Sequence, residues 1–123
     1  MRAESTLPPP APRLPVVVAR VASPNGVALQ LDVPTNLVWF DGHFPDDPIL
    51  PGVAQIGWAI AFAREHFGLD VDPHKIDRVK FLHTARPGVH LELKLVREAA
   101  YIRWQLHAHS TLLSSGRLIF ETP

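Results

Sequence analysis

The chain is expected to fold as an α+β domain, a strongly curved antiparallel sheet of about six strands wrapped around one central apolar helix. Three observations predict it. Short runs with period-2 alternation of apolar and polar residues recur in both halves of the sequence, turn signals separate them, and a single longer segment, Pro51 to Phe67, is apolar nearly all the way round. At 123 residues and 46% hydrophobic content, one domain with a real core is expected and a second has no room.

Residues 1–15 are proline-rich, and Leu7-Pro8-Pro9-Pro10-Ala11-Pro12 favours an extended, flexible arm that buries little surface, more naturally a loose tail than a partner-binding motif. The domain proper is expected over 16–123. Val16 to Ala22 and Val27 to Val33 read as strands joined at Ser23-Pro24-Asn25-Gly26, where Asn-Gly is a hairpin signal. In the second run Val27, Leu29, Leu31 and Val33 alternate with Ala28, Gln30 and Asp32, so one face is buried. Pro51 to Phe67 reads as a helix with its proline in the first turn and Gly68 placed to stop it. Apolar residues from Val53 to Ala63 predict burial on most sides, and only Arg64-Glu65-His66 looks wet. His66, in the last turn, is suited to the negative end of the helix dipole. Four more strands follow, Ile76 to Leu82, Val89 to Val96, Tyr101 to His109 and Leu112 to Glu121, with a turn at Arg86-Pro87-Gly88. Leu91, Leu93 and Leu95 oppose His90, Glu92 and Lys94, and Ile102, Trp104, Leu106 and Ala108 oppose Arg103, Gln105, His107 and His109. So small a sheet leaves edges open, and pairing with a second copy would cover them.

Composition excludes several functions. Twelve basic and twelve acidic residues cancel, so no global field attracts nucleic acid, and no polybasic block suggests a membrane surface. With no cysteine, disulfides, thiolate metal sites and a cysteine nucleophile are ruled out. The longest apolar run, Trp58 to Ala63, is too short to span a bilayer, and the N-terminus lacks the apolar core of a secretory signal, so a cytoplasmic protein is expected. No phosphate-cradling glycine loop, serine nucleophile elbow or zinc signature is present.

Among the histidines, His107 and His109 share a strand face but have Arg103 and Gln105 beside them, so a solvated face is expected and no metal site. His74, His83 and His90 show no partner in the sequence. His43 differs. It lies in Gly42-His43-Phe44-Pro45-Asp46-Asp47-Pro48-Ile49-Leu50-Pro51-Gly52, where three prolines stiffen the chain and two glycines allow close backbone approach, immediately before the helix. A lone histidine in a turn more often caps a backbone group. Here the backbone N–H groups of Gly52 and Val53 at the helix entrance, backed by the dipole, can hold a developing oxyanion, and a base beside such a site suits proton abstraction next to a carbonyl.

The residues His43-Phe44-Pro45, Pro48 and Leu50-Pro51-Gly52-Val53 resemble the signature of the hot-dog-fold β-hydroxyacyl-acyl-carrier-protein dehydratases. Within that family, Pro48 to Gln55 followed by Trp58 is especially similar to the dehydratases of aryl-polyene pigment clusters, and Val79-Lys80-Phe81 with Arg86-Pro87-Gly88 resembles the strand and turn after the family's helix. The resemblance covers roughly Val16 to Phe120, although outside the loop and helix only the pattern agrees. It implies dehydration of a 3-hydroxyacyl thioester to the trans-2-enoyl product, in fatty acid or polyene biosynthesis. The substrate would ride on phosphopantetheine from an acyl carrier protein or coenzyme A, with no other cofactor. His43 would be the base and the Gly52 N–H would polarise the carbonyl. The substrate tunnel would run between helix and sheet of a dimer, lined by Phe44, Ile56, Ile60 and Phe81, with Arg78, Lys80 and Arg86 as candidates for carrier-protein docking.

One departure stands out. The family's acid lies fourteen positions after the histidine, and here that position is Gly57. General acid catalysis is worth about 10²- to 10⁴-fold, so its loss separates a working enzyme from a residual one. Three ways out are open: Gln55 or a water delivers the proton; an acid-bearing paralogue pairs with this chain in place of a homodimer; or the chain binds acyl thioesters without turning them over. A hot-dog thioesterase is a further alternative, weakened by the same glycine.

Overall fold

In the structure, a computed structural model that describes residues 14–34, 49–86 and 88–120, one helix lies against one antiparallel sheet. The elements are β1 (Val16–Ser23), β2 (Gly26–Asp32), α1 (Gly52–Phe67), β3 (Lys75–Phe81), β4 (His90–Arg97), β5 (Tyr101–Ala108) and β6 (Thr111–Ile119). The six strands run in the order β1-β2-β4-β5-β6-β3, which leaves β1 and β3 as the edges. Segment 1–13 lies outside the described residues, as does most of the loop expected to carry the chemistry. No described helix is long and apolar enough to cross a membrane.

Alternation builds the core. Leu29 and Leu31 of β2 stand opposite Leu93 and Leu91 of β4, Leu95 opposes Trp104 of β5, and Ile102 opposes Leu118 of β6, all almost fully buried. The helix adds Ala54, Trp58, Ala59, Phe62 and Ala63 to this layer. Small residues at three of those five positions let α1 sit close to the sheet, while Trp58 and Phe62 fill the gap. Across β5 and β6, Trp104 faces Gly116, and the missing side chain there is what admits the indole. Its Nε1 donates to the buried Ser114 hydroxyl at 3.4 Å.

Differences from the expected elements are local and physical. Pro51 is the N-cap, with extended backbone, rather than part of the first helical turn. Gly68 ends the helix as expected, in the left-handed region at φ 65°, its N–H bonded to the Arg64 carbonyl. The first hairpin turns on Pro24-Asn25, and Gly26 already belongs to β2. β5 stops at Ala108. His109 falls in the following turn at φ 56°, so His107 and His109 do not share a strand face. The helix is covered on most sides as expected, apart from one stripe where Val53 is 67% exposed and Gly57 is also open.

The edge strand β3 is fastened by charge. Arg117 of β6 donates Nε and an Nη to the two Asp77 carboxylate oxygens, both at 2.7 Å, and its guanidinium lies 4.6 Å from the Tyr101 ring centre. The Arg117 hydrogen bond holds the Asp77 carboxyl below its ordinary range, and Asp77 holds Arg117 more firmly protonated. Next to this lock the β3–β6 register slips between Asp77 and Lys80, and Arg78 takes φ 53°, a bulge in the edge strand.

Two outcomes follow. Gly116→Ala forces a methyl into the Trp104 indole and should cost about 1–3 kcal/mol in urea unfolding. A carboxylate with a depressed folded-state pKa contributes stability that is present above its unfolded pKa and lost as pH falls through the folded one. The melting-temperature gap between wild type and Asp77→Asn should therefore be full at pH 7 and close below the ordinary carboxylate range.

Candidate active site

The entrance of α1 is a helix terminus without a cap. Pro51 offers no side-chain hydrogen bond, and the first turn carries no acidic residue. The Ala54 and Gln55 N–H groups both bond to the Pro51 carbonyl, at 3.1 and 3.3 Å. No backbone acceptor among the described residues takes the N–H of Gly52 or Val53. Among the described residues these two amides, at the positive end of a 16-residue helix, therefore have no backbone acceptor, and their chemistry suits an anionic or carbonyl oxygen. The segment is pinned from behind, because the Leu50 N–H donates to the Ala85 carbonyl at 2.7 Å and ties the helix entrance to the loop after β3.

Gly52 packs closely against Phe81. A Cβ there would sit 2.7 to 3.0 Å from the tip of the Phe81 ring, so the last residue of β3 rests on the backbone that carries the free amide. Phe81 is 50% exposed, Leu82 51%, and Val53 stands open beside them. Of the other expected tunnel residues, Ile56 and Ile60 are half-buried against the core. His43 and Phe44 lie outside the described residues.

Gly57 falls one turn beyond Val53 on the same exposed stripe, and a Cβ built on it would meet nothing within 4 Å. Gln55, weighed as a substitute acid, points elsewhere. Two residues are about 200° of helix rotation, and Gln55 is buried, its Nε2 donating to the Leu50 carbonyl at 3.3 Å. With its N–H committed to the chain before the helix, on the side away from residue 57, it is not placed to protonate a group there.

The expected docking cations divide. Arg78 and Lys80 join Arg103 and Arg117 around a depression of about 230 Å³ on the outer sheet face, floored by Ser115 and Gln105. Arg86 is not part of it. Arg103 and Arg117 were not singled out in the sequence because their proximity depends on the β5–β6 register, which pairs them directly. His90, without an evident partner in the sequence, has two across β2 and β4: Nδ1 lies 2.9 Å from Asp32 Oδ1 and Nε2 lies 2.7 Å from Gln30 Oε1. Gln30 in turn donates to Glu92 at 2.7 Å. His66 keeps its expected place in the last helical turn, beside Arg20 of β1, which pairs with Glu65 at 2.9 Å.

Comparison with known proteins supplies the lineage. Residues 19–117 match the ApeI-like family model, described as ApeI dehydratase. The 3-hydroxyacyl-[acyl-carrier-protein] dehydratase FabZ of Sorangium cellulosum is 40% identical over 99 residues, an alignment covering 68% of this chain and 63% of that enzyme. This chain therefore spans less than two thirds of that relative's length. The FabZ of Syntrophobacter fumaroxidans is 33% identical, with 68% of this chain and 70% of the relative covered. Among solved structures, the dehydratase heterocomplex ApeI:P from Xenorhabdus doucetiae superposes with a TM-score of 0.79 at 30% identity, covering 85% of this chain and 96% of that one. A helix under one face of a six-stranded antiparallel sheet is the hot-dog fold these relatives share, and the chain belongs to the ApeI-like dehydratase family.

Proposed function

We propose that the chain is a 3-hydroxyacyl-thioester dehydratase that works in a groove shared with a second hot-dog subunit. The observation that carries this reading is the helix entrance without a side-chain cap, two amides with no backbone acceptor among the described residues beside an apolar rim, in a chain of dehydratase lineage. His43 removes a proton from C2 of the acyl chain. The negative charge that develops on the thioester oxygen is held by the Gly52 and Val53 N–H groups, in a place where no capping side chain competes for them. The C3–O bond then breaks, C2=C3 forms, and the hydroxyl leaves as water once it has received a proton.

That proton must come from somewhere other than residue 57. The open stripe from Val53 to Gly57 leaves room for a carboxylate reaching in from a partner, which agrees with the heterocomplex seen for the Xenorhabdus relative. Delivery of the thioester by an acyl carrier protein fits the outer-face depression, where Arg78 and Lys80 stand beside Arg117, held by Asp77, and Arg103, which has Glu98 at 3.5 Å. No further cofactor is needed for this chemistry.

The decisive assay is hydration of a trans-2-enoyl thioester, the reverse reaction. His43→Ala should abolish it, and equal inactivity of wild type and mutant, alone and with an acid-bearing partner, overturns the reading. Gly57→Glu should raise the activity of the chain alone by about 10²-fold or more. No gain would point to acyl binding without turnover. Carrier-protein affinity should fall as salt rises from 50 to 500 mM and fall again in Arg103→Glu, because exposed charges beyond about 10 Å are screened at 0.1 M.

A further inference from the structure

Gln55 is 4% exposed, yet only half of its side-chain amide is used. Nε2 donates to the Leu50 carbonyl at 3.3 Å, while Oε1 is buried with no hydrogen-bond partner. Turning the amide over would set two acceptor oxygens against each other, so the donor is the half that the fold keeps. A buried acceptor without a donor lowers stability, and its presence points to a use for the other half.

That use is geometric. The backbone N–H of Gln55 bonds to the Pro51 carbonyl, also at 3.3 Å, so one residue holds two successive carbonyls of the chain entering the helix. Leu50 is fixed from the other direction by its N–H on Ala85. Between the Leu50 carbonyl and the Gly52 N–H lie two planar peptide units and the two torsions of Pro51. The proline ring locks φ, at −63°, and leaves only ψ, at 151°, free to turn. Gln55 bridges that remaining torsion with one donor on each plane. C=O and N–H point opposite ways across a trans peptide, so holding the Pro51 carbonyl toward the helix turns the Gly52 N–H away from it, outward.

We infer that Gln55 is a positioning residue for the oxyanion site, fixing the direction of the Gly52 N–H by clamping the peptide planes on either side of Pro51. It transfers no proton and touches no substrate. This deepens the proposed function and rests on it for the chemistry, whereas the clamp itself is measured on the protein without substrate.

The test uses the full chain. Gln55→Leu removes the donor and the orphan acceptor together and leaves the Leu50 carbonyl as the unpaired acceptor instead, so the melting temperature should stay within about 5 °C of wild type. In hydration of a trans-2-enoyl thioester, measured in the Gly57→Glu background, Gln55→Leu should lower kcat about 10- to 100-fold and change KM less than about twofold. Gln55→Glu supplies the rescue. At about pH 8 the introduced carboxylate has no donor and the variant should match Gln55→Leu, whereas toward about pH 5, where burial favours the protonated acid, its O–H should bring kcat back toward the parent at the same pH. Amide exchange by NMR, without substrate, reads the clamp directly: the Leu50 and Gln55 N–H groups should exchange at least about tenfold faster in Gln55→Leu, with the amides of β4 and β5 unchanged. A kcat that falls only in step with melting temperature, a Gln55→Glu variant with no recovery at low pH, or unchanged exchange at the helix entrance overturns the inference. If exchange changes as expected while every variant, Gly57→Glu alone included, is inactive, the catalytic reading fails and the clamp stands.

Discussion

A single six-stranded sheet covers a helix from one side only, and the rest of this structure follows from that geometric limit. The buried side of α1 is filled by Ala54, Trp58, Ala59, Phe62 and Ala63, spaced to meet the inward leucines of β2 and β4. Its other side is left with Val53 and Gly57 in the open. An apolar helix with an uncovered stripe thus lies next to a strand edge that has no partner among the described residues. The proposed chemistry and the proposed second subunit both lie along that line.

Much of the fold was legible because its signals are local. Alternation in Val27 to Val33 and in His90 to Val96 marks which side chains face inward, and the register that pairs Leu29 with Leu93 agrees. Gly68 is readable as a stop because only a residue tolerant of positive φ ends a helix in that way. The exposure of α1 was not legible, because an apolar helix buried by its own sheet and one buried by a neighbouring chain have the same composition. His90 shows the same limit. Its partners Asp32 and Gln30 lie about sixty residues away in sequence, and only the β2–β4 register brings them together.

The candidate site was legible in part for a different reason. Its backbone amides need no particular side chain, so the sequence marks them only through the residues that make room: Pro51, which caps without a side-chain hydrogen bond, and Gly52, which lets Phe81 lie on the main chain. The direction in which Gln55 points was out of reach of any motif, since two neighbouring helical positions can serve opposite faces. The cluster of Arg78, Lys80, Arg103 and Arg117 was likewise dispersed along the chain and is assembled by three strands. What the sequence does carry plainly is the vacancy at residue 57.

From Gly52 to Ala63 the helix contains no ionisable side chain at all. On the face that meets the sheet, at Ala54, Trp58, Ala59, Phe62 and Ala63, a carboxylate would have to be stripped of water, a penalty of several kcal/mol per ion that is recovered only with good pairing. With no such group there, the sheet-facing part of the helix carries nothing to titrate, and the titratable contacts lie at its last turn, where Glu65 meets Arg20 and Arg64 meets Asp72, and on the strands, where Asp77 meets Arg117. Acid or base can loosen the rim of such a molecule well before it disturbs the seat.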